Sequence, residues 1–138
     1  MTAEKVLVVD DDSAVRELAC ALLSHKGYEV YEAKDGEMAL VQLDTQPFDI
    51  VLLDILMPRK EGLETLIELK QRFPGLKVIV MSASGSRKGH DFLKVAAKFG
   101  ADGILPKPFS PEELFARLAA PIGGADASLA GLVTRKTV

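Results

Sequence analysis

Residues 6–12 read Val-Leu-Val-Val-Asp-Asp-Asp, a short β-branched apolar run that ends in three acidic residues. The pattern recurs, since residues 50–54 read Ile-Val-Leu-Leu-Asp and residues 78–82 read Val-Ile-Val-Met-Ser. A run that is apolar at every position is typical of a strand buried on both faces, as in a parallel sheet covered by helices. The carboxyl ends of parallel strands lie along one crevice at the same edge of the sheet. The polar residues that follow these runs are therefore predicted to converge there.

Segments of helical period separate the apolar runs and predict repeated strand-helix-strand units. The first helix is predicted over residues 13–26, with an apolar face that includes Leu18, and it ends at Gly27. The pattern predicts an α/β fold, a doubly wound five-stranded parallel sheet in a three-layer (βα)5 sandwich. The fifth strand is predicted at Ile104-Leu105, and Pro106 and Pro108 at its end predict that it lies at an edge of the sheet. The other predicted helices are a short one capped by Asp35 and running through Leu43, residues 62–73, residues 88–99, and one that begins with the capping sequence Ser110-Pro-Glu-Glu113.

The composition narrows the class of protein. With 138 residues, 48% of them apolar, the chain can bury one core, predicted as a domain over residues 1–120 followed by a flexible tail over residues 121–138. The formal charge of −3 predicts that the chain binds neither nucleic acid nor a membrane surface. No signal peptide or long apolar run is seen, so the sequence predicts a soluble, cytoplasmic protein with Cys20 as a buried apolar residue. The phenylalanines expected in the core are Phe92, Phe99, Phe109 and Phe115.

Three acids at neighbouring strand ends, Asp10, Asp11 and Asp54, would repel one another unless a cation balances them. An oxygen-only set of ligands selects Mg²⁺, or the similar Mn²⁺ or Ca²⁺. With a metal bound, one carboxylate can attack a phosphoryl group, and Asp54 is the predicted nucleophile. Lys107 supplies a compact positive charge suited to a phosphate, and the Ser82 hydroxyl can donate to a phosphoryl oxygen.

Four segments together resemble the signature of the response-regulator receiver domain, the CheY-like domain of two-component signalling. They are Val8-Val-Asp-Asp11, Asp54-Ile-Leu-Met-Pro58 with Gly62, Ser82-Ala83, and Lys107-Pro-Phe109. The resemblance implies the flavodoxin-like strand order 2-1-3-4-5. It also implies that Asp54 accepts phosphate from a phosphohistidine on a sensor histidine kinase or a histidine phosphotransfer protein. Such a chain catalyses only its own phosphotransfer and dephosphorylation, so it is predicted to be a switched signalling domain rather than an enzyme.

The same resemblance assigns roles within the site. It implies that Mg²⁺ is held by Asp10, Asp11 and Asp54 together with the backbone carbonyl of Leu56. Ser82 and Lys107 would bind the phosphoryl group, and the Lys107–Pro108 bond would be cis. The face made by helix four, strand five and helix five would bind a downstream protein or a second copy in a homodimer. Where the family usually has an aromatic switch residue this chain has Ile104, so a tyrosine flip cannot be its signal.

Other functions remain open at this point. A Mg²⁺-dependent phosphohydrolase would use Asp10 as its nucleophile in an Asp-x-Asp arrangement with Asp12, although Ala14 departs from that family's usual pattern and Asp54 would have no role. A receiver-like scaffold that is never phosphorylated is less favoured, because all five polar site residues are present. FMN binding is less favoured still, since no phosphate-binding loop rich in Ser, Thr and Gly follows the first strand.

Overall fold

The computed structural model describes residues 3–55, 62–83 and 94–121, and within these ranges strands and helices alternate. All five strands form one parallel sheet in the order β2-β1-β3-β4-β5, with β5 at an edge. The predicted fold and the position of the fifth strand are therefore confirmed. The elements in chain order are β1 (Lys5–Val9), α1 (Ser13–Lys26), β2 (Glu29–Ala33), α2 (Gly36–Thr45), β3 (Ile50–Asp54), α3 (Gly62–Arg72), β4 (Lys77–Ala83), α4 (94–98), β5 (Gly103–Lys107) and α5 (Pro111–Ala119).

Two apolar cores lie on the two faces of the sheet. Along β1, Leu7 and Val9 belong to the core that contains residues of α2, α3 and α4, whereas Val6 and Val8 belong to the core that contains residues of α1 and α5. Successive strand residues point to opposite faces, so a strand with a helical layer on each side must be apolar at every position. For this reason polar and apolar residues do not alternate along these runs.

Capping residues place several helix ends at the predicted positions. The side chain of Asp12 accepts a hydrogen bond from the backbone of Ala14 and caps α1, which ends at Gly27 in the left-handed region with a φ of 104°. Glycine adopts that conformation without a steric penalty. Helix α5 begins with the predicted capping box, in which Ser110 and Glu113 exchange side-chain and backbone hydrogen bonds.

Element bounds differ from the predictions by one or two residues at several ends. Helix α2 continues to Thr45 rather than ending at Leu43, and α3 ends at Arg72 rather than at residue 73. Of the fourth helix, predicted over residues 88–99, residues 88–93 lie outside the described ranges and residues 94–98 are helical. The predicted tail lies outside these ranges from residue 122 onward. Every helix in the described part of the chain is too short or too polar to cross a bilayer.

One residue of the predicted apolar face of α1 and one predicted core phenylalanine are in fact exposed. Leu18 is 57% exposed, because α1 meets the sheet through a narrow stripe that includes Ala19 and Leu23. Phe99 is 50% exposed because it lies between the end of α4 at residue 98 and the turn at Gly100, whereas Ala96, within the helix, is fully buried. The predictions for Leu18 and Phe99 were wrong. Phe109 and Phe115 pack against the core while remaining partly buried, and Phe92 lies outside the described residues.

Gly62 is required by close packing where α3 begins. A Cβ added there would lie 2.5 Å from the Cα of Ile55, the residue that follows Asp54. We expect Gly62→Ala to lower the free energy of unfolding by about 1–3 kcal/mol, because the start of the helix would have to move away from fixed backbone. Urea denaturation measures this difference. Gly75→Ala is the matched control, since a Cβ there would meet nothing within 4 Å. Equal stabilities of the two variants would contradict the prediction.

Cys20 is only partly buried, not fully buried as predicted. Burial, with a smaller contribution from the charge of Glu32, raises the pKa of its thiol from 9.0 to about 11. The thiolate is the reactive form, and at pH 8 its fraction should be about 100-fold below that of an ordinary thiol. A more basic thiolate is a better nucleophile, so the net slowing should be about tenfold. We expect iodoacetamide to alkylate folded Cys20 at pH 8 about tenfold more slowly than the urea-unfolded chain. Equal rates would contradict this.

Candidate functional site

The acidic cluster, Asp10, Asp11 and Asp54, lies at the carboxyl ends of two adjacent strands. Val9 pairs with Leu53 in the register of β1 and β3, so the residues that follow them emerge side by side. Asp10 and Asp54 are buried, whereas Asp11 is exposed. One carboxylate oxygen from each residue can be chosen so that all lie within 4.8 Å of one another. The structure thus brings together the three acids that the sequence predicted.

Lys107 ends β5 and reaches across β4 to the acidic cluster. Its Nζ lies 2.7 Å from Oδ2 of Asp10 and 3.5 Å from Oδ2 of Asp54. Burial alone lowers the pKa of Lys107, but the hydrogen bond with Asp10 and the charge of Asp54 outweigh burial, so the pKa lies above 10.5. The ammonium group is therefore charged throughout the neutral range and balances part of the charge of the cluster.

Ser82 lies on β4, between the strands that carry Asp54 and Lys107. In the strand register Met81 is opposite Asp54, and Ser82 is opposite Pro106, the residue before Lys107. The Ser82 hydroxyl is fully buried and has no hydrogen-bond partner among the described residues. A buried polar group without a partner costs about 1–3 kcal/mol. The cost is removed when a ligand brings an oxygen atom to which the Ser82 hydroxyl can donate a hydrogen bond.

Asp12, the third acid of the triplet, does not join the cluster. Its side chain caps α1 by accepting a hydrogen bond from Ala14, and its backbone NH donates to Oδ1 of Asp10 at 3.0 Å. An Asp-x-Asp phosphohydrolase needs both acids at the reacting phosphate. The arrangement instead makes Asp12 a structural residue that helps to hold Asp10.

The cluster fits a hard divalent cation. Its donors are carboxylate oxygens, which Mg²⁺ prefers, and several waters usually complete the Mg²⁺ shell. The fourth predicted ligand, the carbonyl of Leu56, lies outside the described residues. The Lys107–Pro108 bond is cis, as the family resemblance implied.

Sequence reasoning missed one residue at this site. Arg16, on α1, donates from Nη1 to the main-chain oxygen of Asp10 at 2.7 Å and from Nε to Oε1 of Glu32 at 3.1 Å. A single sequence does not show that an arginine near the start of a surface helix points toward the sheet. Only the placement of α1 beside the end of β1 shows this contact.

A separate groove of about 610 Å³ lies at the opposite ends of the strands, lined in part by Phe48, Asp49 and Leu76. It contains none of the predicted site residues. A phosphoryl group is small and polar and needs converging charges rather than an apolar groove, so the chemistry belongs to the cluster at the carboxyl ends.

The fold and the site define a doubly wound α/β domain in which three acids and a lysine converge at the carboxyl ends of the strands. The family model of the response regulator receiver domain matches residues 6–119, and the chain belongs to this family. It is the receiver domain of a two-component response regulator, and the alternative of a phosphohydrolase is not favoured.

Named relatives agree with this membership. The chain is 43% identical over 116 residues to the transcriptional regulatory protein CpxR of Klebsiella pneumoniae, covering 84% of this chain and 48% of the relative. The receiver domain of NtrX from Brucella abortus superposes with a TM-score of 0.77 at 30% identity, covering 91% of this chain and 98% of that one. TrrA from Thermotoga maritima, solved in complex with Mg²⁺-BeF, gives a TM-score of 0.72 at 33% identity over 83% of this chain and 96% of that one. The chain spans about half the length of curated relatives such as CpxR.

Proposed function

We propose that this chain is a cytoplasmic phosphoacceptor in which Asp54 takes a phosphoryl group from a phosphohistidine of a sensor histidine kinase or a histidine phosphotransfer protein. The observation that carries the proposal is the convergence of Lys107 on Asp10 and Asp54, at 2.7 and 3.5 Å, beside a third acid. Positive charge at a reacting phosphate and a carboxylate nucleophile are the two requirements of the reaction.

We assign Asp10, Asp11 and Asp54, with the carbonyl of Leu56, to a Mg²⁺ site. Bound Mg²⁺ would offset the negative charge that develops on the phosphoryl oxygens. Support comes from the all-oxygen donor set, and a related structure, that of TrrA, is described as a complex with Mg²⁺-BeF.

In the proposed step a carboxylate oxygen of Asp54 attacks phosphorus. The new P–O bond forms as the P–N bond to the donor histidine breaks, and the imidazole leaves with the bonding electrons. Lys107 holds one phosphoryl oxygen by charge, while the buried Ser82 hydroxyl gains the hydrogen-bond acceptor that it lacks among the described residues. No external substrate is turned over, so the chain acts as a switch.

We propose that the switch is read at the face of α4, β5 and α5 by a downstream protein or by a second copy of the chain. Ser82 and Lys107 lie on the adjacent strands β4 and β5, so a phosphoryl group held by both acts directly on this part of the fold. Ile104 is fully buried in β5, and this agrees with a signal that needs no aromatic flip.

We place the receiver unit at residues 1–120 and treat residues 121–138 as a tail, supported by the family match that ends at residue 119. Direct binding of nucleic acid is not part of the proposed role of residues 1–120, given the formal charge of −3 of the chain. CpxR is named a transcriptional regulatory protein, and the matched segment covers 48% of its length. Control of transcription would therefore act through residues or partners beyond the receiver unit.

Acetyl phosphate with Mg²⁺ tests the proposal. We expect one phosphoryl group per chain, mapped by mass spectrometry to Asp54, and no incorporation when EDTA removes the metal. Acetyl phosphate loses acetate as the new P–O bond forms, so the test needs no partner protein. Modification of Asp10, or steady turnover of added phosphoesters, would instead support the phosphohydrolase.

A further inference from the structure

Arg16 holds the backbone beneath the acidic cluster. Its Nη1 donates to the main-chain oxygen of Asp10 at 2.7 Å, and its Nε donates to Oε1 of Glu32 at 3.1 Å. The Arg16 side chain is only 19% exposed, although α1 is a surface helix. A hydrogen bond from a guanidinium group to a carbonyl is stronger than a bond between neutral groups, and the planar guanidinium fixes the direction of its donors.

The contact completes a set of bonds that fixes Asp10 at all of its polar positions. The backbone NH of Asp10 donates to the oxygen of Ala33, its Oδ1 accepts from the backbone of Asp12, and its Oδ2 accepts from Lys107. Arg16 engages the remaining group, the carbonyl oxygen.

That carbonyl belongs to the peptide unit joining Asp10 to Asp11. A peptide unit is planar, so the direction of its carbonyl sets the direction of the NH on its other side and limits where the next Cα places its side chain. Asp11 is the exposed member of the cluster, and its side chain therefore has the most freedom to turn away. Because Arg16 of α1 donates to the carbonyl oxygen of Asp10, it can restrict the movement of the Asp11 side chain.

We propose that Arg16 is a positioning residue for the metal site: by holding the Asp10–Asp11 peptide unit it keeps the Asp11 carboxylate facing Asp10 and Asp54, and so raises the affinity for Mg²⁺. The inference rests on the proposed function, because it assumes that the acidic cluster binds this ion. Removal of a group that orients a metal ligand through hydrogen bonds typically changes the metal affinity 10- to 100-fold.

The same side chain also forms an ion pair with Glu32, and the test must separate the two contacts. Arg16→Met keeps the length of the apolar stem and removes both contacts. Glu32→Gln removes the charge of the partner, which is 47% exposed, and leaves the contact with Asp10 in place. Arg16→Lys retains one cationic donor and serves as the conservative variant.

The experiment is calorimetric titration of each full-length variant with MgCl₂, with circular dichroism to confirm folding at the temperature of measurement. We expect the dissociation constant of Arg16→Met to rise about tenfold, that of Glu32→Gln to stay within about twofold of the unsubstituted protein, and that of Arg16→Lys to fall between them. A value for folded Arg16→Met within about twofold of the unsubstituted protein would overturn the proposal, as would an equal increase in Glu32→Gln. If Arg16→Met does not fold, Arg16→Lys decides by the same criterion. Failure of the unsubstituted protein to bind Mg²⁺ would refute the proposed function itself.

Discussion

Asp54→Asn should abolish phosphoryl incorporation from acetyl phosphate while the domain remains folded. The amide has nearly the same shape as the carboxylate, but it is a far weaker nucleophile and cannot form the acyl phosphate. Incorporation should fall below the detection limit of intact-protein mass spectrometry. Loss of the negative charge 3.5 Å from Lys107 should also weaken Mg²⁺ binding, because one of three acids in the cluster becomes neutral.

Asp44→Asn is the matched control for this prediction. Asp44 is an exposed acid on α2 that pairs with Arg72, and it lies outside the acidic cluster. The control should incorporate one phosphoryl group per chain, as the unsubstituted protein does. Continued stoichiometric labelling of Asp54→Asn would show that another residue is the acceptor.

Lys107→Met should slow phosphorylation by acetyl phosphate about 100- to 1,000-fold. This is the usual effect of removing one group that stabilises developing negative charge in a transition state. Magnesium binding should be retained or become tighter, because a cation 2.7 Å from Asp10 no longer competes for the acids. A slow reaction with intact metal binding separates loss of the ammonium group from collapse of the site.

The pH dependence gives a second measure of Lys107. Its pKa in the folded chain lies above 10.5, so the ammonium group stays protonated and the phosphorylation rate should show no lysine titration between pH 7 and about 10. The group binds its proton more tightly in the folded chain than in the unfolded chain. Its contribution to stability is therefore complete below the ordinary pKa and is lost as the pH rises through the higher folded value.

Lys26→Met is the control for Lys107→Met, since Lys26 is an exposed lysine at the end of α1, the helix whose start lies next to the acidic cluster. It should phosphorylate at the rate of the unsubstituted protein. A Lys107→Met rate within about tenfold of that control would mean that the ammonium group is not the cation that serves the phosphoryl group.

Local sequence determined most of the architecture. Runs that are apolar at every position predict strands covered on both faces, and Gly27 and the capping box at Ser110 predict helix ends from backbone chemistry alone. The polar residues of the site could be found because parallel strands bring their carboxyl ends together. These inferences depend on neighbours within a few positions, or on a rule that holds for every doubly wound sheet.

Other properties depend on how packed elements meet. Leu18 and Phe99 are apolar residues in helical patterns, yet their exposure depends on which part of each helix meets the sheet. The need for glycine at position 62 comes from the backbone of Ile55, which no local pattern encodes.

By itself the sequence determined the fold class, the strand ends that carry the site and the identities of the acids, hydroxyl and amine, because side-chain periodicity and backbone chemistry are local properties. Only the tertiary structure decided that Lys107 lies closer to Asp10 than to Asp54, that Ser82 is buried without a partner among the described residues, and that Arg16 turns inward beneath the cluster. Distances and burial arise from contacts between segments far apart along the chain, and they are fixed only when the sheet and its helices pack.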